Sequence, residues 1–343
     1  MIGYYVHHVG RGHLHRALAV RAALGEPVTV LSSLPRPDRV PEDEWVSLAS
    51  DLVPDQPAPA GATAGGRLHW APPTHEGLRR RMAQVSAWID AAGPRLIVVD
   101  VSVEVALLCR LHGVPVVSVM LPGRRTDPAH LLGFDIAHAL VAAWPPVATP
   151  GMLPGLPSEV RGRVRAVGGL SRHAPVHPVH PDLIPDRLSL DRPARLAVLM
   201  LGQGGHHVDP ALVERAVGST PGWHWDVLDG RRGRWCDDPA PLLRNADVVV
   251  THAGQNAVAE VAAARRPAVV VAQDRPHDEQ RTTAAVLAAG PWPVEVEDTF
   301  PGDGWTDRLE RVAALDGTAW QGWCDGLEAD RFAALLRAAG GVS

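Results

Sequence analysis

The chain has 343 residues, 46% of them hydrophobic and 21% charged, with a formal net charge of −5; that length suits two hydrophobic cores better than one, and the acidic balance disfavours a nucleic-acid partner. All 33 basic residues are arginine, which excludes both a Walker lysine and a lysine Schiff base. Three scattered cysteines, Cys109, Cys236 and Cys324, form no zinc or disulfide pattern and fit a reducing cytoplasm.

Ile2 to Val6 reads as a strand, with no charged and apolar leader of the signal-peptide kind, and no apolar stretch anywhere approaches the ~20 residues of a membrane span. Through Gly10-Arg11-Gly12 it leads into a helix from His13 to Leu24, and Val28 to Leu31 reads as the second strand. Pro54 to Pro73, rich in proline and glycine, reads as a long loop suited to binding or to covering a site. The spacing of Leu78, Met82, Val85 and Ile89 predicts a helix over Glu76 to Ala91, with Arg79, Arg80 and Arg81 on a solvated or membrane-facing side. Leu96 to Asp100 is a buried strand ending in a carboxylate, followed by a helix from Val103 to His112 and a strand from Val114 to Val119.

Prolines between Leu170 and Pro193 break the rhythm and mark an interdomain linker. The expected division is 1–170, linker 171–193, and 194–343. The second half reads as strand Leu196 to Leu201, helix Pro210 to Val217, strand Trp223 to Leu228, helix Pro241 to Asn245, strand Asp247 to Val250 and helix Asn256 to Ala264. Strand Ala268 to Ala272, helix Asp278 to Ala289, strand Pro293 to Val296 and a last helix near Leu327 to Ala339 follow, the last one free to pack back on the first domain. Alternating strands and helices of this kind belong to the α/β class, here two doubly wound, Rossmann-like domains of parallel strands.

In such sheets ligands bind beyond the carboxyl ends of the strands, so the strand-to-helix turns carry the candidate chemistry. Gly10-Arg11-Gly12-His13 places an imidazole at a helix mouth, where it is either a general base or an exposed helix-start histidine. A dinucleotide fingerprint would need glycine where His15 stands. His7, His8 and His15 read as structural. Asp100 can orient His13 or cap the next helix. Asp247 to Glu260 delivers a buried strand to a glycine turn: Asn256 stands where an N-cap would, His252 and the turn amides can surround a diphosphate, and Glu260, one helical turn on, can accept from ribose hydroxyls.

His252-Ala253-Gly254-Gln255-Asn256-Ala257-Val258-Ala259-Glu260 resembles the pattern His-Cys-Gly-Trp-Asn-Ser-x-x-Glu of the family 1 UDP-glycosyltransferases. Gly10-Arg11-Gly12-His13 is similar to the glycine loop of family 28, whose members include the peptidoglycan GlcNAc-transferase. The likeness to these GT-B glycosyltransferases follows most of the chain in order, although those two segments alone are specific, and the acceptor half, with Leu121-Pro122-Gly123 and Asp127 to His130, matches no motif. It implies the GT-B fold, with two Rossmann-like domains facing a central cleft, and a cytoplasmic, bacterial, inverting, metal-independent glycosyltransferase that takes a nucleotide-sugar co-substrate, a UDP-sugar, with no further cofactor.

The resemblance further implies a site in which His13 is the base and Asp100 its partner. Gly12, Gly202, Gln203, Gly204, His252, Gly254, Gln255 and Asn256 would hold the donor diphosphate, Glu260 the ribose, and Asp278, Glu279 and Gln280 the donor sugar. Thr283 departs from the family's asparagine, which leaves the donor sugar open. The acceptor is open among lipid-linked, cell-wall and small molecules, with peripheral membrane contact allowed. Gly10-Arg11-Gly12-His13-Leu14-His15-Arg16 also resembles the Gly-x-Gly-His-x-x-Arg start of a GT-B-like UDP-sugar hydrolase, and an inert nucleotide-sugar binding protein is the third reading.

Overall fold

The computed structural model describes residues 1–8, 10–52, 58–176, 195–201, 208–229 and 236–341. The first lobe runs β1 (Ile2–Val6), α1 (Gly12–Leu24), β2 (Val28–Ser32), β3 (Trp45–Ser47), α2 (Glu76–Ala92), β4 (Leu96–Asp100), α3 (Val103–Leu111), β5 (Val116–Met120), α4 (Pro128–Ile136), β6 (Ala139–Ala142), α5 (Thr149–Met152), α6 (Ser158–Arg163) and β7 (Val164–Ala166). The second runs β8 (Arg195–Leu201), α7 (Pro210–Gly218), β9 (Trp223–Asp229), α8 (Ala240–Asn245), β10 (Val248–His252), α9 (Gln255–Ala264), β11 (Ala268–Val271), α10 (Glu279–Ala289), β12 (Val294–Glu297), α11 (Trp305–Ala313) and α12 (Glu328–Gly340). Among the described residues, no helix is long and apolar enough to cross a membrane.

Both sheets are parallel, ordered β3-β2-β1-β4-β5-β6-β7 and β12-β11-β10-β8-β9. Central strands such as IGYYV and LIVVD are buried along their whole length, because helices cover both faces; that is why they read as unbroken apolar runs. The order reverses beside β1 in one sheet and beside β8 in the other, and at these switch points the loops at the strand ends splay apart and leave a crevice.

The last helix returns to the first lobe: Phe332, Ala333, Leu336 and Ala339 share a core with Ile2, Leu14, Val20 and Leu96. The described start of the linker reaches the second lobe, with Val176 N–H donating to Ala263 O at 2.8 Å, and just before it Gly169 N–H donates to Trp323 O at 2.7 Å.

Several elements go beyond the sequence reading. Strands β3, β6 and β7 are three or four residues long, too short for alternation to stand out. Helices α4, α5, α6 and α11 lie outside the elements expected from the sequence. The basic triplet on α2 is also different from expectation. Arg81 is 2% exposed, ion-paired with Asp51 at 2.9 Å and donating to Tyr5 Oη at 3.2 Å and Ala49 O at 3.0 Å, so it belongs to the interior rather than to a solvated face.

Candidate active site

Two helix mouths meet across the crevice. A Cβ built on Gly12, the first residue of α1, would fall 1.8 Å from Asn256 Nδ2 in the first turn of α9, so any larger residue there requires the Asn256 side chain to move. Arg16 Nη2 donates to Gln255 Oε1 at 3.2 Å over the same gap. The residues preceding the two helices, Arg11 and Gly254, make no side-chain cap, which leaves first-turn amides of both helices for another acceptor. Two converging positive helix ends with uncapped amides form a place for an anion. Gly254, and not Asn256, precedes the helix, so Asn256 serves as the contact to Gly12 instead of as the cap.

On the first-lobe side, β1 and β4 pair in register so that Val6 lies beside Asp100, and α1 brings His13 over the strand ends. His13 Nδ1 stands 2.8 Å from Asp100 Oδ1. Arg16 Nη1 donates to both oxygens of Asp100, at 2.7 and 2.9 Å, and Tyr4 Oη lies 3.4 Å from Oδ2. Asp100 is fully buried. Burial alone would raise its pKa, yet Arg16 and His13 outweigh burial and hold it below the ordinary carboxylate value. As a carboxylate it only accepts, so the shared proton sits on His13 Nδ1, and in the neutral ring Nε2 is then the acceptor. Asp100 does not cap α3; Ser102 does, accepting from Val105 N–H. Between them Val101 has φ +62°, a strained conformation for a β-branched residue and a sign of functional constraint at a strand end.

On the second-lobe side, His252 Nδ1 accepts from Gly254 N–H at 3.0 Å. Gln280, 2% exposed, has its carbonyl fixed by Gln273 N–H at 3.1 Å, which turns its amide nitrogen toward His252 Nδ1 at 3.3 Å. Those donors assign the proton of His252 to Nε2. Burial, reinforced by Arg275, lowers its pKa to about 4, so at neutral pH it is an uncharged hydrogen-bond donor. Glu260 sits behind the mouth, 7% exposed, with Arg172 Nε 2.7 Å from Oε1. Burial raises its pKa, and Arg172 opposes that rise. Any group reaching Glu260 meets Arg172 beside it.

Asp278 and Glu279 face the first lobe. Arg125 donates to Glu279 at 3.1 Å and Arg124 lies 3.5 Å from Asp278, while Arg124 N–H donates to His277 O at 2.8 Å. The Leu121-Pro122-Gly123 segment, matched by no motif, therefore docks on the segment expected to hold the donor sugar. Gly202, Gln203 and Gly204 lie outside the described residues. Of the other expected residues, His13 pairs with Asp100, Gly12 meets Asn256, Gln255 is reached by Arg16, and His252 contacts Gly254 and Gln280; Glu260, Asp278 and Glu279 are each engaged by an arginine.

Near His13 an open cleft of about 330 Å³ is lined by Tyr5, His7, His8, Trp70, Arg81 and Glu104, among others. His7 and His8 stack at 4.5 Å, and the His7 ring lies 6.0 Å from that of His13; burial lowers the pKa of His7 to about 3. These two histidines, expected as structural, face the cleft. Part of the long loop forms its wall, tied down where Glu104 Oε1 accepts from His69 N–H at 2.7 Å and Trp70 N–H at 3.0 Å.

His69, Asp127 and His130 form the set among the described residues able to hold a metal ion. Arg125 Nη1, always a donor, lies 2.9 Å from His130 Nε2, so the ring carries its proton on Nδ1, which donates to Asp127 Oδ2 at 2.5 Å. Asp127 Oδ1 stands 3.2 Å from His69 Nε2. Hydrogen bonds thus satisfy the three residues as they stand, and a cation on His130 Nδ1 requires Arg125 to move.

Residues 234–290 match the glycosyltransferase family 28 C-terminal domain. No curated protein matches the chain. Solved structures with the same two-lobed fold include the glycotransferase of kitacinnamycin (TM-score 0.67, 16% identity, 98% of each chain covered). MurG from Acinetobacter baumannii is also similar (TM-score 0.61, 15% identity, 98% of this chain and 99% of the other). A third is the glycosyltransferase VinC in complex with dTDP (TM-score 0.62, 18% identity, 99% of each).

Proposed function

We propose, for a chain that carries a glycosyltransferase family 28 C-terminal domain on the GT-B fold, that it transfers a sugar from a nucleoside diphosphate to an acceptor hydroxyl with inversion and without a metal ion. The supporting observation is the His13–Asp100 pair at 2.8 Å, facing the uncapped mouth of α9.

Asp100 holds His13 in the tautomer whose Nε2 takes the acceptor proton. The acceptor oxygen forms its bond to the anomeric carbon from the face opposite the diphosphate. The bond from that carbon to the phosphate oxygen breaks with its electron pair going to the leaving group. Charge developing on the diphosphate meets the amides at Gln255 and Asn256, the neutral His252 N–H and two positive helix ends, which replace a divalent cation. The acceptor lies in the cleft beside His7, His8 and Trp70, and the donor sugar lies between the Asp278–Gln280 segment and His13. Glu260 receives the ribose. The protein works in the cytoplasm, where nucleotide sugars are made.

The donor is a pyrimidine nucleotide sugar: the sequence likeness implies UDP, and the VinC structure carries dTDP. A thermal-shift screen of nucleoside diphosphates identifies it, since a ligand of the native state raises the melting temperature. Turnover with UDP- and dTDP-sugars and a panel of acceptors then tests the reaction. His13→Ala is expected to lose at least ~100-fold in kcat with an unchanged melting curve, and EDTA is expected to leave turnover intact. Full activity of His13→Ala overturns the base assignment. Stoichiometric free sugar formed without acceptor makes the protein a hydrolase.

A further inference from the structure

Arg16 is 3% exposed and sits one turn beyond His13 on α1. Neutralising Asp100 needs only its Nη1, which already reaches both carboxylate oxygens. The second prong does something else: Nη2 crosses to Gln255 Oε1, on the first residue of α9. Two buried donors beside this bridge, Arg16 Nε and Gln255 Nε2, have no partner among the described residues. Buried donors are rarely left unmet without a reason, and here one lies on each side of the mouth where an anion would sit. A single rigid guanidinium therefore touches the carboxylate that orients the imidazole and the helix turn that would receive the diphosphate.

We propose that Arg16 is a positioning residue coupling the two substrates: it holds the Asp100–His13 pair and, through Gln255, registers the diphosphate at the mouth of α9. Nucleotide binding and orientation of the base are then one linked event, and linkage requires each to affect the other equally. The inference rests on the glycosyltransferase reading above.

The test measures the affinity of UDP and dTDP by calorimetry, and donor KM and kcat, for wild type, Arg16→Lys, Gln255→Leu and the double variant. Lysine keeps a charge for Asp100 but has no second prong. Each single change is expected to weaken nucleotide binding by ~5-fold or more, within the usual range of site-to-site coupling. The double variant is expected to be no weaker than the worse single one, since both changes cut the same bridge. Gln255→Leu, which does not touch His13, is further expected to lower kcat as well as raise donor KM; a residue that only binds donor would change KM alone.

Nucleotide affinities equal to wild type in both single variants, or effects that simply add, overturn the coupling while leaving the transferase reading intact. If Arg16→Lys does not fold, Gln255→Leu decides alone, and an unchanged kcat rejects the proposal. A wild-type protein that binds neither nucleotide removes the donor reading and this inference together.

Discussion

His13 and Asp100 are 87 positions apart in the chain and 2.8 Å apart in space, and the fold joins them because β1 and β4 are neighbours whose ends lie level. Arg16 makes that meeting possible by holding a carboxylate ionised where no water reaches it. Removing one partner of such a buried pair leaves an uncompensated charge, which costs about 3–5 kcal/mol. Arg16→Met is therefore expected to lose stability of that order in urea unfolding, and Arg16→Met/Asp100→Asn to recover much of it, because the orphaned charge is gone. A double variant as unstable as the single one would show that the loss lies in packing. His13 and Asp100 were legible because glycine-rich turns and strand ends are where α/β sheets place chemistry. Arg16 was visible in the sequence as the residue three after His13, but nothing in one helix says that it reaches a strand 84 residues away. Arg172 was hidden for a similar reason, since it lies in a proline-rich stretch that reads as a spacer and only the packing of that stretch brings it to Glu260.

Among the elements, the strands buried on both faces were plain as apolar runs, and α9 came within one residue of its expected start. Strands β3, β6 and β7, of three or four residues, were not, because so few positions carry no period. Helix α11 buries Trp305, Leu309 and Val312, a spacing of four and three that any amphipathic helix shows. The glycines and aspartates around it masked the pattern. The loop after β5 could not be interpreted alone, since its role lies in docking on the other lobe. Gly123, at φ +107°, would place a Cβ 2.2 Å from His277 O. Gly123→Ala is expected to pry that loop from the Asp278–Gln280 segment and to lower kcat/KM for the donor at least ~10-fold, a loss of about 1.4 kcal/mol in transition-state binding. The lobes are expected to open, seen as a larger radius of gyration in X-ray scattering. Wild-type dimensions and turnover in the variant would show that the docking does not hold the lobes together.

At the level of the whole molecule, several imidazoles are kept neutral by being enclosed. Burial is the leading cause for His7, His15, His130 and His252, whose pKa values fall from 6.5 to about 3, 4, 4 and 4. The unfolded chain takes up protons near pH 6.5 that the folded chain refuses, so each group contributes stability above that pH and loses it progressively on acidification toward about pH 4. Asp100, depressed for the opposite chemical reason, withdraws its own contribution only at lower pH. Melting temperature is expected to fall steeply between pH 6.5 and 4, and His252→Gln to flatten part of that slope. A melting temperature constant over this interval would contradict the enclosure of these rings.

The return of α12 has a consequence for how the protein comes into being. Ile2 and Leu14 are made well before Phe332 and Leu336, which cover them, and domains ordinarily fold as units in the order of synthesis. Here the leading lobe stays open on one side until α12 has been made, so β1 and α1, which carry the ring of His13, gain their settled surroundings late.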